Sequence, residues 1–235
     1  MASKIDSINI SMIARFAGFL YFLLIPLGVF GIIYVPSTLI VDGDITSTVS
    51  NIASNESLFR LSIAAALLAQ LVNIAVVLFL YKILAPVSKT AARVMVLFSL
   101  LAVPIAMFNE LNNGAVLLLL DDAGQSLAQV SLFLNLHEYG IQIAGIFFGL
   151  WLFPMGYLVF KSTFIPKVIG ILLIIASIGY LADSFIFFLN PGFEPVISEF
   201  TFVGEAAMTF WLLIVGVNAK KWRERALEST TIKTV

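Results

Sequence analysis

Along the chain, six apolar stretches alternate with short polar breaks: residues 16–35, 61–84, 94–120, 136–160, 168–189 and 196–217. At 1.5 Å per residue, each is long enough to cross a hydrocarbon core about 30 Å thick. Val41-Asp42-Gly43-Asp44, Ala85-Pro86-Val87-Ser88-Lys89, Asp121-Asp122-Ala123-Gly124, Ser162-Thr163-Phe164-Ile165-Pro166 and Asn190-Pro191-Gly192 interrupt them with turn residues. The pattern predicts an all-α integral membrane bundle of six transmembrane helices. It fills residues 1–235 as a single domain, with no soluble domain beside it. The longest segment between spans, residues 36–60, is too short for a core of its own.

Two stretches need a decision. Lys4 and Arg15 ahead of an apolar run resemble a signal peptide, but residues 16–35 have the length of a full span and end in Tyr34-Val35-Pro36-Ser37-Thr38 rather than a small-x-small cleavage site. They read as a retained first helix. Residues 126–135 are apolar yet lie between an acidic turn and a full-length span. No turn residue separates them from His137, so they are expected to lengthen the fourth helix rather than lie along the interface. Ser54, just ahead of Asn55 and Glu56, reads as the cap region of the second.

Composition agrees with the pattern. Hydrophobic residues make up 60% of the chain and charged ones 11%, too little polar surface for a domain in water. The net charge of −1 hides an asymmetry: of the 13 Lys and Arg, only Arg60 falls on the side where Asp42, Asp44, Glu56, Asp121, Asp122, Glu194 and Glu199 collect. By the positive-inside rule both termini are cytoplasmic. No basic arm points to nucleic acid. The chain has no cysteine, which excludes disulfides, thiol catalysis and cysteine-ligated metals.

Polar residues inside the spans are the candidates for function. Counted along straight helices from Arg93, Lys167 and Lys220, Glu110, Asp183 and Glu205 all reach roughly 22–26 Å, in the outer half of the membrane. Asn109, Asn112, Asn113, Gln142, His137, Glu138 and Arg60 lie at similar or greater height, with Gln70 and Asn73 nearer the middle. Ionisable groups at such depth face the bundle interior and mark a site more often than not. For Arg60, His137 and Glu138 at the outer surface, anchoring of helix ends is an equal alternative. Asn112 and Asn113 also suit plain helix–helix bonding. The expected ligand-binding set is Glu110, Asp183, His137, Glu205, Arg60, Asn109, Asn113 and Glu138. No catalytic residue and no cofactor is assigned. A lone His137 is too little for a zinc hydrolase, although with the three acids it would complete an oxygen-rich cation site. Gly145-Ile146-Phe147-Phe148-Gly149 forms a small-xxx-small face for close helix packing. Spans 2–3 and 4–5 also echo one another, each placing an acid (Glu110, Asp183) after a basic turn. A parallel repeat gives that pattern, and so do the basic flanks of any inside-turning hairpin, the commoner cause.

Several short segments carry a resemblance. They are Arg15-Phe16-Ala17-Gly18, Glu56-Ser57-Leu58-Phe59-Arg60, Leu136-His137-Glu138-Tyr139-Gly140, Phe147-Phe148-Gly149-Leu150, Gly156-Tyr157-Leu158, Ser162-Thr163-Phe164-Ile165-Pro166 and Gly179-Tyr180-Leu181-Ala182-Asp183-Ser184. In this order they resemble a bacterial family of multi-pass membrane proteins catalogued as domain of unknown function 4386. The resemblance implies a bacterial inner-membrane location and brings no activity with it.

The leading functional expectation is binding, with transport or sensing as its extensions, of a small polar or cationic ligand in an outward-facing polar cavity. A non-catalytic membrane subunit or scaffold is the alternative, and a membrane-embedded hydrolase or transferase comes third. The partners expected are the lipid bilayer and that ligand; the oligomeric state is not legible. The topology is testable on a cysteine-free background. Single cysteines at Ser47 and Ser126 are expected to react with an impermeant thiol reagent in intact cells, and those at Ser88 and Ser162 only after lysis. The reverse pattern would overturn the charge argument.

Overall fold

The computed structural model describes residues 2–120, 126–190 and 197–231, with side chains from Ile10 to Ser229 within them. The expected features at Asp121, Asp122, Pro191, Gly192, Glu194, Val196 and Lys233 lie outside the described residues, as do the side chains of Lys4 and Asp6. Among the described residues all regular structure is helical. Six helical stretches are long and apolar enough to cross a membrane: Ile10–Leu39, Glu56–Leu84, Lys89–Leu120, Leu127–Ser162, Lys167–Leu189 and Ile197–Val215.

The first span is built from α1 (Ala2–Gly28), a π-helical turn (Val29–Tyr34) and α2 (Val35–Leu39). A short helix, α3 (Ile45–Ser54), follows. Then come α4 (Glu56–Leu84), α5 (Lys89–Leu120), α6 (Leu127–Ser162) and α7 (Lys167–Leu189). The sixth span joins α8 (Ile197–Thr201), α9 (Val203–Phe210) and a second π-helical turn (Trp211–Val215). The amphipathic α10 (Ala219–Thr231) completes the chain described. Each helix packs on its sequence neighbour, and the sixth span packs back on α1, so the six spans close a ring in chain order.

Residues 127–135 do lengthen α6, which runs unbroken for 36 residues. At 1.5 Å per residue that is about 54 Å, well beyond a 30 Å core. Above the spans sits a helix where the hydropathy pattern predicts only loop. Ile45, Val49 and Ile52 recur at helical spacing, and Asp44 caps their helix, its Oδ1 accepting from Ser47 N (3.0 Å) and its Oδ2 from Ser47 Oγ (2.6 Å). These bonds hold the Asp44 carboxyl below the ordinary aspartate range. Val49 and Ile52 are buried with Val35, Leu39, Phe59, Val116, Leu117 and Val130, so α3 roofs one end of the bundle. The N-cap position of α4 is Asn55, one residue beyond Ser54. At the opposite end the indole N–H of Trp222 on α10 donates to Ile83 O at the end of α4 (2.8 Å). Ser162, one of the labelling positions, is fully buried. Exposed Thr90, at the same end, is the better reporter.

Within the ring the helices meet backbone to backbone. A Cβ on Gly156 would stand 2.7 Å from Gly170 O, and one on Gly149 would stand 3.0 Å from Ser177 O. The small-xxx-small face of α6 therefore packs on α7 as its spacing predicts. The ring closes over Gly18, where a Cβ would overlap Leu213 N and lie 2.7 Å from Leu212 C in the second π turn. That turn ends at Gly216, whose amide donates to Trp211 O across five residues. Its φ of 77° lies in the left-handed region that favours glycine. Large apolar side chains point out of the ring, among them Phe108, Leu111, Leu118 and Ile178, each more than half exposed, as a lipid-facing surface requires. In Gly18→Ala the backbone of the sixth span must move. The expected cost is about 1–3 kcal/mol of stability, read as a lowered unfolding temperature in detergent. Gly114→Ala, with nothing within 4 Å of the new Cβ, is expected to hold or raise it. Equal behaviour of the two variants would mean that the Gly18 seam does not hold the ring.

Candidate functional site

The polar groups inside the bundle form two clusters. The first lies on the seam between α5 and α6. Asn109, Glu110 and Asn113 fall on one side of α5 by their three- and four-residue spacing, and His137 faces them from α6. His137 Nε2 lies 3.1 Å from Glu110 Oε1, and Asn113 Nδ2 donates to Glu110 Oε2 (3.0 Å). Asn109 Nδ2 donates to His137 O (2.8 Å), while its own carbonyl side accepts from Asn112 (3.0 Å). The Asn109 amide fits because the residue opposite is Gly140; any Cβ there would overlap it. Side-chain exposure is 19% for His137 and 11% for Glu110, so the pair is enclosed without being sealed. An imidazole and a carboxylate so placed can hydrogen-bond each other, or bind a cation through the carboxylate.

The second cluster lies where α1, α7 and α9 meet. The Tyr21 hydroxyl donates to Glu205 Oε2 (2.9 Å). Tyr180 on α7 faces the same carboxyl group and also Asp183. Asp183 itself turns to the backbone of the sixth span, where its Oδ1 accepts from Ile197 N (3.0 Å) and its Oδ2 from Ser198 N (2.7 Å). It thus caps the first turn of α8 from another helix, meeting amide donors that nothing in lipid would satisfy.

The expectation that Glu110, Asp183 and Glu205 stand at one level needs correction. Gly140 packs at Asn109 and Gly145 at Ser184, so along α6 Asp183 lies about 8 Å further than Glu110 from the end that α3 roofs. Gly204, next to Glu205, abuts Leu172 and Leu173, about 15 Å along α7 from Asp183. The straight-helix count from Lys220 fails because the chain leaves helical geometry at Gly216 and passes through a π turn before it. The three acids are staggered through the bundle. Among the described residues no three His, Asp or Glu side chains lie close enough to hold a metal ion, so the oxygen-rich site expected of His137 and all three acids does not form.

The remaining candidates sit apart. Arg60 is mostly exposed and pairs with Glu56 one turn before it, not with the acids inside. Glu138, next to His137 on α6, is exposed. Asn73 donates to Ser99 Oγ (3.2 Å) and ties α4 to α5, a purely architectural bond. The echo between spans 2–3 and 4–5 has no chemical counterpart, since Glu110 pairs with a histidine and Asp183 caps a helix. A trough of about 590 Å³ runs along α7, lined by Ile178, Leu181, Phe185 and Leu189 among others. Its walls are apolar apart from Asn190, and neither cluster lines it. Sequence reading missed Tyr21 and Tyr180. The available signal was their position inside spans, where a phenol needs an acceptor.

Residues 16–216 match the profile of the family described as Domain of unknown function (DUF4386), and the chain belongs to that family. A relative from Archaeoglobus fulgidus, described as an uncharacterized protein, is 34% identical over 155 residues, which cover 66% of this chain and 83% of that protein. No solved structure matches the chain.

If Glu110 and His137 act as one unit, a double-mutant cycle with Glu110→Gln and His137→Gln will show a coupling of about 0.5–3 kcal/mol in unfolding stability. Additive losses would separate the two residues energetically despite their contact.

Proposed function

We propose that this member of the family binds a small cationic or polar ligand at the α5–α6 seam, as a multi-pass protein of the cell membrane with both termini in the cytoplasm. The observation that carries the reading is the Glu110–His137 pair. An acid and an imidazole enclosed in an apolar bundle, with the amides of Asn109, Asn112 and Asn113 around them, are costly to desolvate, and the Asn109 bond to His137 O already ties α5 to α6 without them. The amides orient, and the carboxylate supplies the single charge that selects a cation. The positive-inside asymmetry supports an orientation with this seam toward the outer face, so the ligand would enter from outside.

A non-catalytic subunit is the second reading. Asp183 favours it, because a charge inside the bundle is there wholly occupied with capping α8. Binding and scaffolding separate in a thermal-shift screen of the purified protein against pH, divalent metals and organic cations. At a concentration a hundredfold above the dissociation constant, a bound ligand adds about 2.7 kcal/mol of stability. Some cation is expected to raise the unfolding temperature of the wild type, and Glu110→Gln is expected to abolish the gain while the fold persists. Glu110→Gln and His137→Gln responding like wild type under every condition would leave the scaffold reading.

A further inference from the structure

We infer that Glu205 is the anionic group of a second, deeper site that holds one positive charge, either a proton or a sodium ion. The inference does not rest on the α5–α6 reading. Glu205 is nine-tenths buried, on the ninth helix of a bundle whose surroundings there are apolar: Met208, Leu212, Trp151 and Leu173 pack in the same core. Only one of its carboxylate oxygens has a partner. Oε2 accepts from Tyr21, whereas Oε1 has none. One turn further along the same face, Thr209 is 1% exposed and its hydroxyl also lacks a partner. A helical threonine ordinarily bonds back to the carbonyl of its own preceding turn, so a free hydroxyl one helical turn from a free carboxylate oxygen is a second sign of something bound there.

The chemistry of these groups restricts the occupant. From α1 the carboxyl group faces Tyr21, and from α7 it faces Tyr180, with Asp183 beyond. Among the described residues no Lys, Arg or His pairs with Glu205. A carboxylate without a countercharge is not sustained in a medium of low dielectric constant; it takes up a proton or a cation. One carboxylate compensates one charge, which disfavours divalent ions. A donor set of carboxylate, threonine hydroxyl and phenol oxygens, with no sulfur or imidazole, suits a hard ion. The site spans the closure of the ring. Tyr21 belongs to the first span and Glu205 and Thr209 to the sixth, so occupancy would draw those two spans together.

The test is infrared difference spectroscopy on the full chain in lipid nanodiscs. Spectra are taken between acid and alkaline pH, and between sodium chloride and choline chloride at equal ionic strength. A proton site gives a protonated-carboxyl band that titrates and is lost in Glu205→Gln. A sodium site gives a carboxylate signal that appears with sodium and not with choline, and that is again lost in Glu205→Gln. Thr209→Val, which keeps the shape and removes the hydroxyl, is expected to move the midpoint in proton or sodium concentration by about tenfold. Glu110→Gln leaves these signals intact, so failure of the outer site is distinguishable from failure of this one. Should Glu205→Gln not fold, as judged by gel filtration, Tyr21→Phe takes its place and must shift the same midpoint. Superimposable difference spectra for wild type and Glu205→Gln, or an unmoved midpoint in Tyr21→Phe, would overturn the inference.

Discussion

In lipid the helices of a bundle gain nothing from hiding apolar surface, because the hydrocarbon around them is as apolar as their own side chains. What holds them is how closely their backbones approach. In this protein that approach is made at Gly149, Gly156 and Gly170 between α6 and α7, and at Gly18 between α1 and the sixth span. The ring of six spans depends on these contacts. Remove the closing one and the first and last spans separate, and with them the pairing of Tyr21 and Glu205.

The close seams also govern where polar chemistry can sit. A helix pressed against its neighbour at glycine leaves room for larger groups one or two turns away. The Asn109 amide occupies such a space opposite Gly140, and Ser184 another opposite Gly145. Breaks in the sixth span follow the same logic. Its first turn starts within the bundle and exposes amide donors, which Asp183 meets from α7. Its last turn widens to π geometry over Gly18 and stops at Gly216, where the left-handed φ lets the chain turn away into α10. π turns occur often where a helix has been reshaped for a ligand, and this one directly follows the helix that carries Glu205 and Thr209.

The six spans are legible because hydropathy acts over some 20 residues at once and tolerates local error. The α6–α7 packing is legible from Gly145 and Gly149, since small residues four apart leave one face bare. The helix α3 is also written in the chain, in Asp44 with Ser47 and in Ile45, Val49 and Ile52, but a segment between two spans is easily taken for loop. The level of Glu205 is not legible. Depth counting needs an unbroken helix, and the departure at Gly216 leaves no mark in hydropathy. Arg60 misleads for another reason: Glu56, four residues earlier on an exposed turn, is a nearer partner than any acid inside the bundle.

The staggering of the acids changes what the bundle can do. Three carboxylates at one level would repel one another and favour a single multivalent cation. Their backbones are offset along the helices by roughly 8 and 15 Å, and each carboxyl group is answered locally. Glu110 has an imidazole and one amide, Asp183 two backbone donors, and Glu205 phenols that neutralise no charge. Of the three, Asp183 is the most completely satisfied and is thereby removed from ligand chemistry. The groups at the two ends of the stagger are the ones not taken up by backbone, Glu110 facing the imidazole and Glu205 keeping an unmatched oxygen. They lie on different seams, α5–α6 and α1–α9, so a charge taken up at one need not displace a charge at the other. What could link them is α7, which carries Tyr180 toward Glu205, Asp183 toward α8, and the glycine-lined face on which α6 holds His137 in place.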